Sequence, residues 1–170
     1  VRVPSTTDRN FYDRYWFVGY DEDGTRAFGF AFGRYANRFV VDAHAALVPA
    51  LAESPVAANT RFFIVGGAGA TLTEDGTMLL DTPGFPEAYK PEAQSFAEIL
   101  DLYKASPENL DWAMLAPAPE IGPGPAAASY DLGGDHPAGA AVTAGTFAVA
   151  TLDELAAPAH RRQRFTVADA

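Results

Sequence analysis

The spacing of apolar residues predicts alternating strands and helices from about residue 40 onward. Two short apolar runs, at 61–65 and 111–115, have the length of buried strands, and glycine or proline follows each of them. Between them, apolar residues at helical spacing predict a helix over about 90–104. A helix over about 142–156 and a strand over 163–167 complete the pattern. This alternation is typical of βα units around a parallel sheet.

The first forty residues have a different pattern, because aromatic residues are dense between positions 11 and 39. Tyr15–Tyr20 and Arg26–Arg34 read as two strands of a hairpin, joined by turn residues that end in Gly24. Alternation along the second strand places three phenylalanines, at 28, 30 and 32, on one face. We expect this face to be buried against protein; an exposed aromatic platform for a ligand is the minority interpretation.

Three further segments complete the expected architecture. Alanine-rich helical spacing begins at Val40 and ends before Ser54, and a short strand is expected at Met78–Leu80. Residues 116–139 are rich in Pro, Gly and Ala and are expected to form a long loop. The predicted domains are therefore a β-hairpin segment at 1–39 and an α/β domain at 40–170.

Charge and composition exclude several classes of function. A net charge of −10 disfavours a nucleic-acid groove or an anionic membrane surface, since both require basic patches. The chain has no cysteine, so neither a disulfide framework nor a thiolate site is available. No apolar run approaches the ~20 residues of a membrane span, and the first residues lack a signal-peptide core. A cytoplasmic protein is the expectation.

The candidate site follows from the sheet. The carboxyl ends of parallel strands meet at one edge, so the loops after 61–65 and 111–115 should lie side by side, as in one half of a nucleotide-binding sheet. The glycine loop could allow close approach of a ligand ring or could be a flexible connection. The carboxylate of the second loop could orient a ligand or serve as turn chemistry. The residues concerned are Gly66, Gly67 and Ala68 in the first loop, and Pro117, Ala118 and Glu120 in the second.

Several motifs, taken in order, carry a resemblance to a known family. From about Val40 to Val167 the chain resembles the C-terminal half of the atypical short-chain dehydrogenase/reductases, the NmrA-like NAD(P)-binding oxidoreductases. The resemblance implies a partial Rossmann-type parallel sheet and an NAD(P) cofactor. The motifs are Val41-Asp42-Ala43, Phe63–Gly69, Asp81–Lys90, Asp111-Trp112, Pro117–Gly124, Tyr130–Asp135 and His160–Val167.

The chain departs from that family in two ways. The G-x-x-G-x-x-G loop, which holds the cofactor pyrophosphate, is absent from these 170 residues. The Tyr-x-x-x-Lys pair of many members is also absent, since Lys90 directly follows Tyr89. Residues 1–39 do not resemble the family; the stretch from Asp13 to Arg38 is similar to a β-rich family distantly related to carotenoid hydratases. The chain is thus a candidate chimera joined near Val40.

These observations predict an NAD(P)-dependent oxidoreductase-like protein with weak cofactor binding. Gly66, Gly67, Ala68, Pro117 and Ala118 are expected to line the nicotinamide end, with Lys90 and Glu120 as candidate catalytic groups. We expect a small-molecule substrate, no metal, and a homo-oligomer, because half of a doubly wound sheet leaves an open strand edge. A non-catalytic remnant or self-associating module is the first alternative. A hydrolase or lyase acting on a hydrophobic substrate in the aromatic region is the second, and the sequence identifies no nucleophile or acid–base pair for it. A separate serine-hydrolase grouping of Ser129, Asp135 and His136 in the long loop is conceivable, although no G-x-S-x-G motif occurs.

Overall fold

The computed structural model describes residues 12–20, 27–35, 48, 50–55 and 57–170, with the backbone alone at 12–20, 27–35 and 58. The chain divides into two compact units, Val1–Val41 and Asp42–Ala170. Each unit is described by itself below. The start of the alanine-rich helix, the turn at 21–24 and His44 lie outside the described residues.

In the first unit, β1 (Tyr12–Tyr20) and β2 (Ala27–Tyr35) pair antiparallel, as the sequence predicts. The register places Phe17 opposite Phe30 and Tyr15 opposite Phe32. Aromatic pairs of this kind are the interactions that stabilise a two-stranded ribbon. Whether the phenylalanine face is buried stays a prediction, because these side chains lie outside what the structure describes.

The second unit is built on a four-stranded sheet. Three parallel strands, β3 (Arg61–Val65), β4 (Asp111–Pro117) and β8 (Gln163–Asp169), lie side by side with β4 in the middle. A fourth strand, β6 (Tyr130–Gly133), pairs antiparallel with the far edge of β8. The predicted α/β class and parallel sheet are therefore confirmed, and the antiparallel edge strand is an addition.

One face of this sheet packs against the helix α1 (Lys90–Lys104), which has the predicted bounds. Pro91 lies in its first turn, where no intrahelical donor is lost. Alternate residues of β3 and β4, among them Ile64, Trp112 and Met114, form a core with Tyr103 of the helix. The apolar stripe read from the sequence is thus the stripe that the sheet buries.

The opposite face packs against the helix α2 (Ala144–Ala156). Its core contains Leu115, Phe165 and Val167 of the sheet, with Ala150 and Phe147 from the helix side. Thr143 caps the helix by accepting a hydrogen bond from the Thr146 amide at 3.2 Å. Helices therefore cover both faces of the sheet, as in doubly wound folds.

Two details of the sequence prediction are wrong. Met78–Leu80 is not a strand, because Met78 makes a single bridge to Leu72 and Leu79–Asp81 forms a 3-10 turn. The long loop at 116–139 contains β6 and the short strand β5 (Glu120–Gly122), which pairs in parallel with β7 (Ala141–Thr143). These strands pair with distant partners, so their own three or four residues carry too little pattern to reveal them.

A buried ion-pair network holds the amino ends of the sheet to α2. The Glu154 carboxylate receives hydrogen bonds from Arg61 at 2.6 Å and from the His160 ring at 2.7 Å. Burial raises the pKa of the Glu154 carboxyl, but hydrogen bonds from the His160 amide and ring and from the Ala159 amide outweigh burial and leave the pKa below its usual value. The His160 ring stacks on Phe165, with 4.0 Å between ring centroids.

Across the described part of the chain, no helix is long and apolar enough to cross a membrane.

Candidate functional site

A cleft of about 960 Å³ opens at the carboxyl ends of β3 and β4. This is the edge at which ligands bind in open α/β sheets, and the volume is typical of a small-molecule site. The cleft is bounded by the loop after β3, the segment 79–86, the first turns of α1, the loop after β4 and Phe147 of α2. The predicted site residues Gly66, Gly67, Ala68, Pro117, Ala118 and Glu120 all line it.

The glycine loop is a tightly packed turn; whether it also allows close approach of a ligand ring stays a prediction. A Cβ atom on Gly67 would lie 2.7 Å from Cδ2 of Phe96, and one on Gly69 would lie 2.5 Å from Cβ of Ala93. Gly66 has the same constraint, since its Cβ would lie 2.9 Å from Cγ of Met114. These glycines are therefore required so that the loop can lie directly against β4 and α1.

Arg164 of β8 holds the same loop in place through hydrogen bonds. Its side chain is 2% exposed and donates to the carbonyl oxygen of Ala70 and, at 2.6 Å, to the Asp135 carboxylate. The Leu72 amide donates to the Asp135 carbonyl oxygen at 2.8 Å, which ties the two loops together. A buried guanidinium thus fixes the position of the glycine loop, and the Asp135 carboxylate neutralises its charge.

The loop after β4 forms the second wall. Pro117 and Ala118 are buried, whereas Glu120 is exposed at the start of β5. The Glu120 amide donates to the Ala140 carbonyl oxygen at 3.0 Å, so its backbone is fixed by pairing. Its carboxylate is one of two on the cleft lining, the other being that of Glu92 on α1.

Lys90 stands apart from the other predicted residues. It is the first residue of α1, and its ammonium pairs with the Glu87 carboxylate at 2.5 Å. The cleft lining includes its neighbour Tyr89 but not Lys90. Its candidate role in proton transfer stays a prediction, and the contact with Glu87 gives it a local partner outside the cleft.

Sequence reasoning missed most of the cleft's aromatic wall. Phe96 has the helical spacing of a core residue of α1, and its ring both packs on the core and lines the cleft. The run Asp81–Lys90 is one of the motifs that carry the family resemblance. Lys90 is the one residue of that run that the sequence analysis assigns to the site. The signal available in the sequence was the Asp81–Lys90 motif itself, which contains Phe85 and Tyr89. The aromatic lining residues are Phe85, Tyr89, Phe96 and Phe147.

The residues of the hydrolase alternative have other partners. The Asp135 carboxylate pairs with Arg164, and Nδ1 of His136 lies 3.0 Å from the Leu72 carbonyl oxygen. His136 is thus engaged with the backbone and Asp135 with a guanidinium, an arrangement that does not form a Ser–His–Asp relay. Within the described residues, no group of three or more metal-ligating side chains comes together.

The cleft fits one part of an NAD(P) molecule and not another. Its apolar walls and its small residues at the strand ends suit a flat nicotinamide ring. The pyrophosphate requires amide donors of a glycine loop or cationic side chains. The lining residues include no Lys, Arg or His, and the two carboxylates would repel an anion. The described lining therefore combines apolar walls with no cationic side chain to hold a phosphate.

Comparison with known proteins agrees with this architecture. The Bacillus subtilis (strain 168) protein YwnB, itself uncharacterized, is 36% identical over 150 residues, an alignment that spans 83% of this chain and 67% of YwnB. The crystal structure of SP1627 from Streptococcus pneumoniae TIGR4, provisionally assigned as an NADH-flavin reductase, is 30% identical and superposes with a TM-score of 0.66. That match covers 75% of this chain and 64% of SP1627.

A more distant structure shares the fold alone. A short-chain dehydrogenase/reductase from Veillonella parvula DSM 2008, solved in complex with NADP, is 20% identical with a TM-score of 0.52. It is matched over 74% of this chain and 57% of its own length. The chain thus spans about two thirds, or less, of the length of these relatives. Residues 1–61 match a family of unknown function, DUF8625.

The helix-covered parallel sheet and the cleft at its carboxyl edge define a Rossmann-like fold, which the chain shares with atypical short-chain dehydrogenase/reductases. The chain belongs to the family that includes YwnB. The resemblance predicted for residues 40–167 is confirmed, and the division at residue 39 stays a prediction.

The packing of the glycine loop predicts a specific effect of adding one methyl group. Gly67 has φ −126° and ψ 149°, which any residue can adopt, so an alanine there would be resisted by Phe96 alone. We expect Gly67→Ala to lower the free energy of unfolding by about 1–3 kcal/mol, the usual cost of overpacking. Urea denaturation measures this.

Gly134→Ala is the matched control. A Cβ atom there has no neighbour within 4 Å, so we expect stability to be unchanged or raised by about 0.4–1 kcal/mol through the unfolded chain. Equal stability of the two variants would contradict the packed-turn interpretation.

Proposed function

We propose that this chain supplies the nicotinamide-side half of an NAD(P)-dependent reductase site and, by itself, binds the dinucleotide weakly. One observation carries the proposal: the five loop residues predicted to line the nicotinamide end lie, together with Glu120, on a single cleft at the carboxyl edge of the sheet. The similarity to SP1627 supports reductase chemistry, and the NADP complex of the Veillonella parvula relative supports the cofactor class. A cytoplasmic location belongs to the same proposal.

The residues around the cleft set what the chain can do there. The glycine loop and Ala118 admit a planar ring to the strand ends, while Phe85 and Phe96 exclude water from its faces. Glu120 is placed at the rim, where a carboxylate can orient a polar substituent of a ring or accept a proton from one. The bound cofactor would supply the hydride, and the substrate is a small molecule that fits beside the ring.

Because the sequence lacks the phosphate-binding loop, we expect NADPH to bind weakly and through its nicotinamide half alone. Calorimetry with NADPH should give a dissociation constant no better than roughly 1 mM, about 4 kcal/mol of binding free energy. Reduced nicotinamide mononucleotide should bind within about threefold of NADPH, because the adenosine half makes no contact that adds affinity. ADP serves as the control ligand and should not compete.

A dissociation constant near 1 μM for NADPH, or competition by ADP, would contradict the one-sided site. Either result would mean that phosphate contacts come from residues outside the described cleft.

Self-association is a second proposal, and a specific surface favours it. Among the described strands, β3 pairs with β4 alone, which leaves its other edge without a strand partner there. On α2, the side chains of Val149, Leu152 and Leu155 are 38%, 64% and 45% exposed. Apolar side chains clustered on one helix face are typical of an interface. We propose that two copies associate through this face of α2.

Light scattering with Leu152→Glu tests the interface. We expect the wild type to be a dimer or larger, and the variant to be a monomer, because a carboxylate would be buried at the contact. Leu102→Glu on α1, where the side chain is 38% exposed, is the control and should leave the mass unchanged. A wild type that stays monomeric at high concentration would refute the proposal.

A further inference from the structure

The electrostatic character of the cleft sets a selectivity that the proposed function does not specify. Glu92 on α1 and Glu120 on β5 provide its two charged side chains, and the described lining residues include no cationic side chain. Both residues lie at exposed positions. A charged molecule entering the cleft therefore meets a negative rim.

Cations near the cleft are already paired, so they leave this rim negative. Lys90 pairs with Glu87 at 2.5 Å, and Arg164 pairs with Asp135 at 2.6 Å below the glycine loop. Neither side chain lines the cleft. The net charge of the whole chain, −10, adds a long-range contribution of the same sign.

The walls of the cleft favour a positive charge for an independent reason. Four aromatic side chains line it, and the faces of aromatic rings attract cations through their quadrupole. A flat heteroaromatic cation would stack on these rings and place its positive charge toward the carboxylates. An anionic ring of equal size would gain the same stacking and lose the electrostatic part. The aromatic lining residues are Phe85, Tyr89, Phe96 and Phe147.

We propose that the cleft selects planar N-alkylated heteroaromatic cations, of the pyridinium or quinolinium class, over neutral and anionic rings of the same size. Glu92 and Glu120 are the specificity-determining residues, and the aromatic walls supply the affinity that all three kinds of ring share. The proposal rests on the proposed function in one respect, since both place a flat ring in this cleft. It adds the charge of the ring that is preferred.

Three quinoline probes of nearly equal size separate charge from shape. They are 1-methylquinolinium-3-carboxamide as the cation, quinoline-3-carboxamide as the neutral ring and quinoline-3-carboxylate as the anion. Calorimetry on the full chain at pH 7.5 and low salt should give the tightest binding for the cation. We expect the cation to bind at least about tenfold more tightly than the anion, a difference of about 1.4 kcal/mol.

Charge removal at the rim locates the effect. The double variant Glu92→Gln/Glu120→Gln should reduce the cation-to-anion preference to within about threefold and leave the affinity of the neutral probe within about twofold. Glu98→Gln on α1 is the matched control, because it removes an exposed carboxylate of the same helix that does not line the cleft. It should leave the preference unchanged. All of these substitutions are at exposed positions, so the variants should fold.

The outcomes distinguish this proposal from the proposed function. Equal binding of all three probes, or a preference that survives the double variant, would overturn charge selection while leaving a ring-binding cleft. If Glu98→Gln removed the preference as fully as the double variant does, the preference would come from the overall charge of the chain. That result would also overturn the proposal. Failure of all three probes to bind would refute both the selectivity and the ring-binding site.

Discussion

The parallel pairing of β3, β4 and β8 is the constraint on which the cleft depends. Parallel register brings the carboxyl ends of neighbouring strands to one edge of the sheet, where the chain leaves each strand and turns toward a helix. The turn after β3 has to pass between Met114 and Phe96, and only glycine leaves room for it. The loop that admits a ligand is therefore shaped first by the packing of the protein around it.

The proposed ring-binding wall does not depend on a phosphate-binding element for its packing. This wall is made by β3, β4, α1 and α2, all of which pack within Asp42–Ala170. Arg164, buried beneath the glycine loop, fixes the wall from inside the same unit. The pyrophosphate contacts of the family come from a different strand-turn-helix, whose glycine motif these 170 residues lack. The described lining of the cleft includes no cationic side chain that could take the place of those contacts.

Much of this arrangement could be predicted from the sequence, because local pattern and tertiary role agree. The helix α1 has the bounds expected from its apolar spacing, and the strand 61–65 is placed by five residues between two turn signals. The short strands β5, β6 and β7 could not be predicted in the same way, since their order comes from pairing with distant partners. Phe96 could not be assigned to the cleft either, because its position there comes from tertiary packing: its ring contacts the core and also lines the cleft.

The most direct test of a ring-binding cleft is a ¹⁵N NMR titration of the full chain with 1-methylnicotinamide. Ring binding at the strand ends should change the amide shifts of Gly66, Gly67, Ala68, Ala118 and Glu120, with a single apparent dissociation constant in the millimolar range. Changes confined to residues 12–35, or no change near the strand ends at saturating ligand, would contradict it.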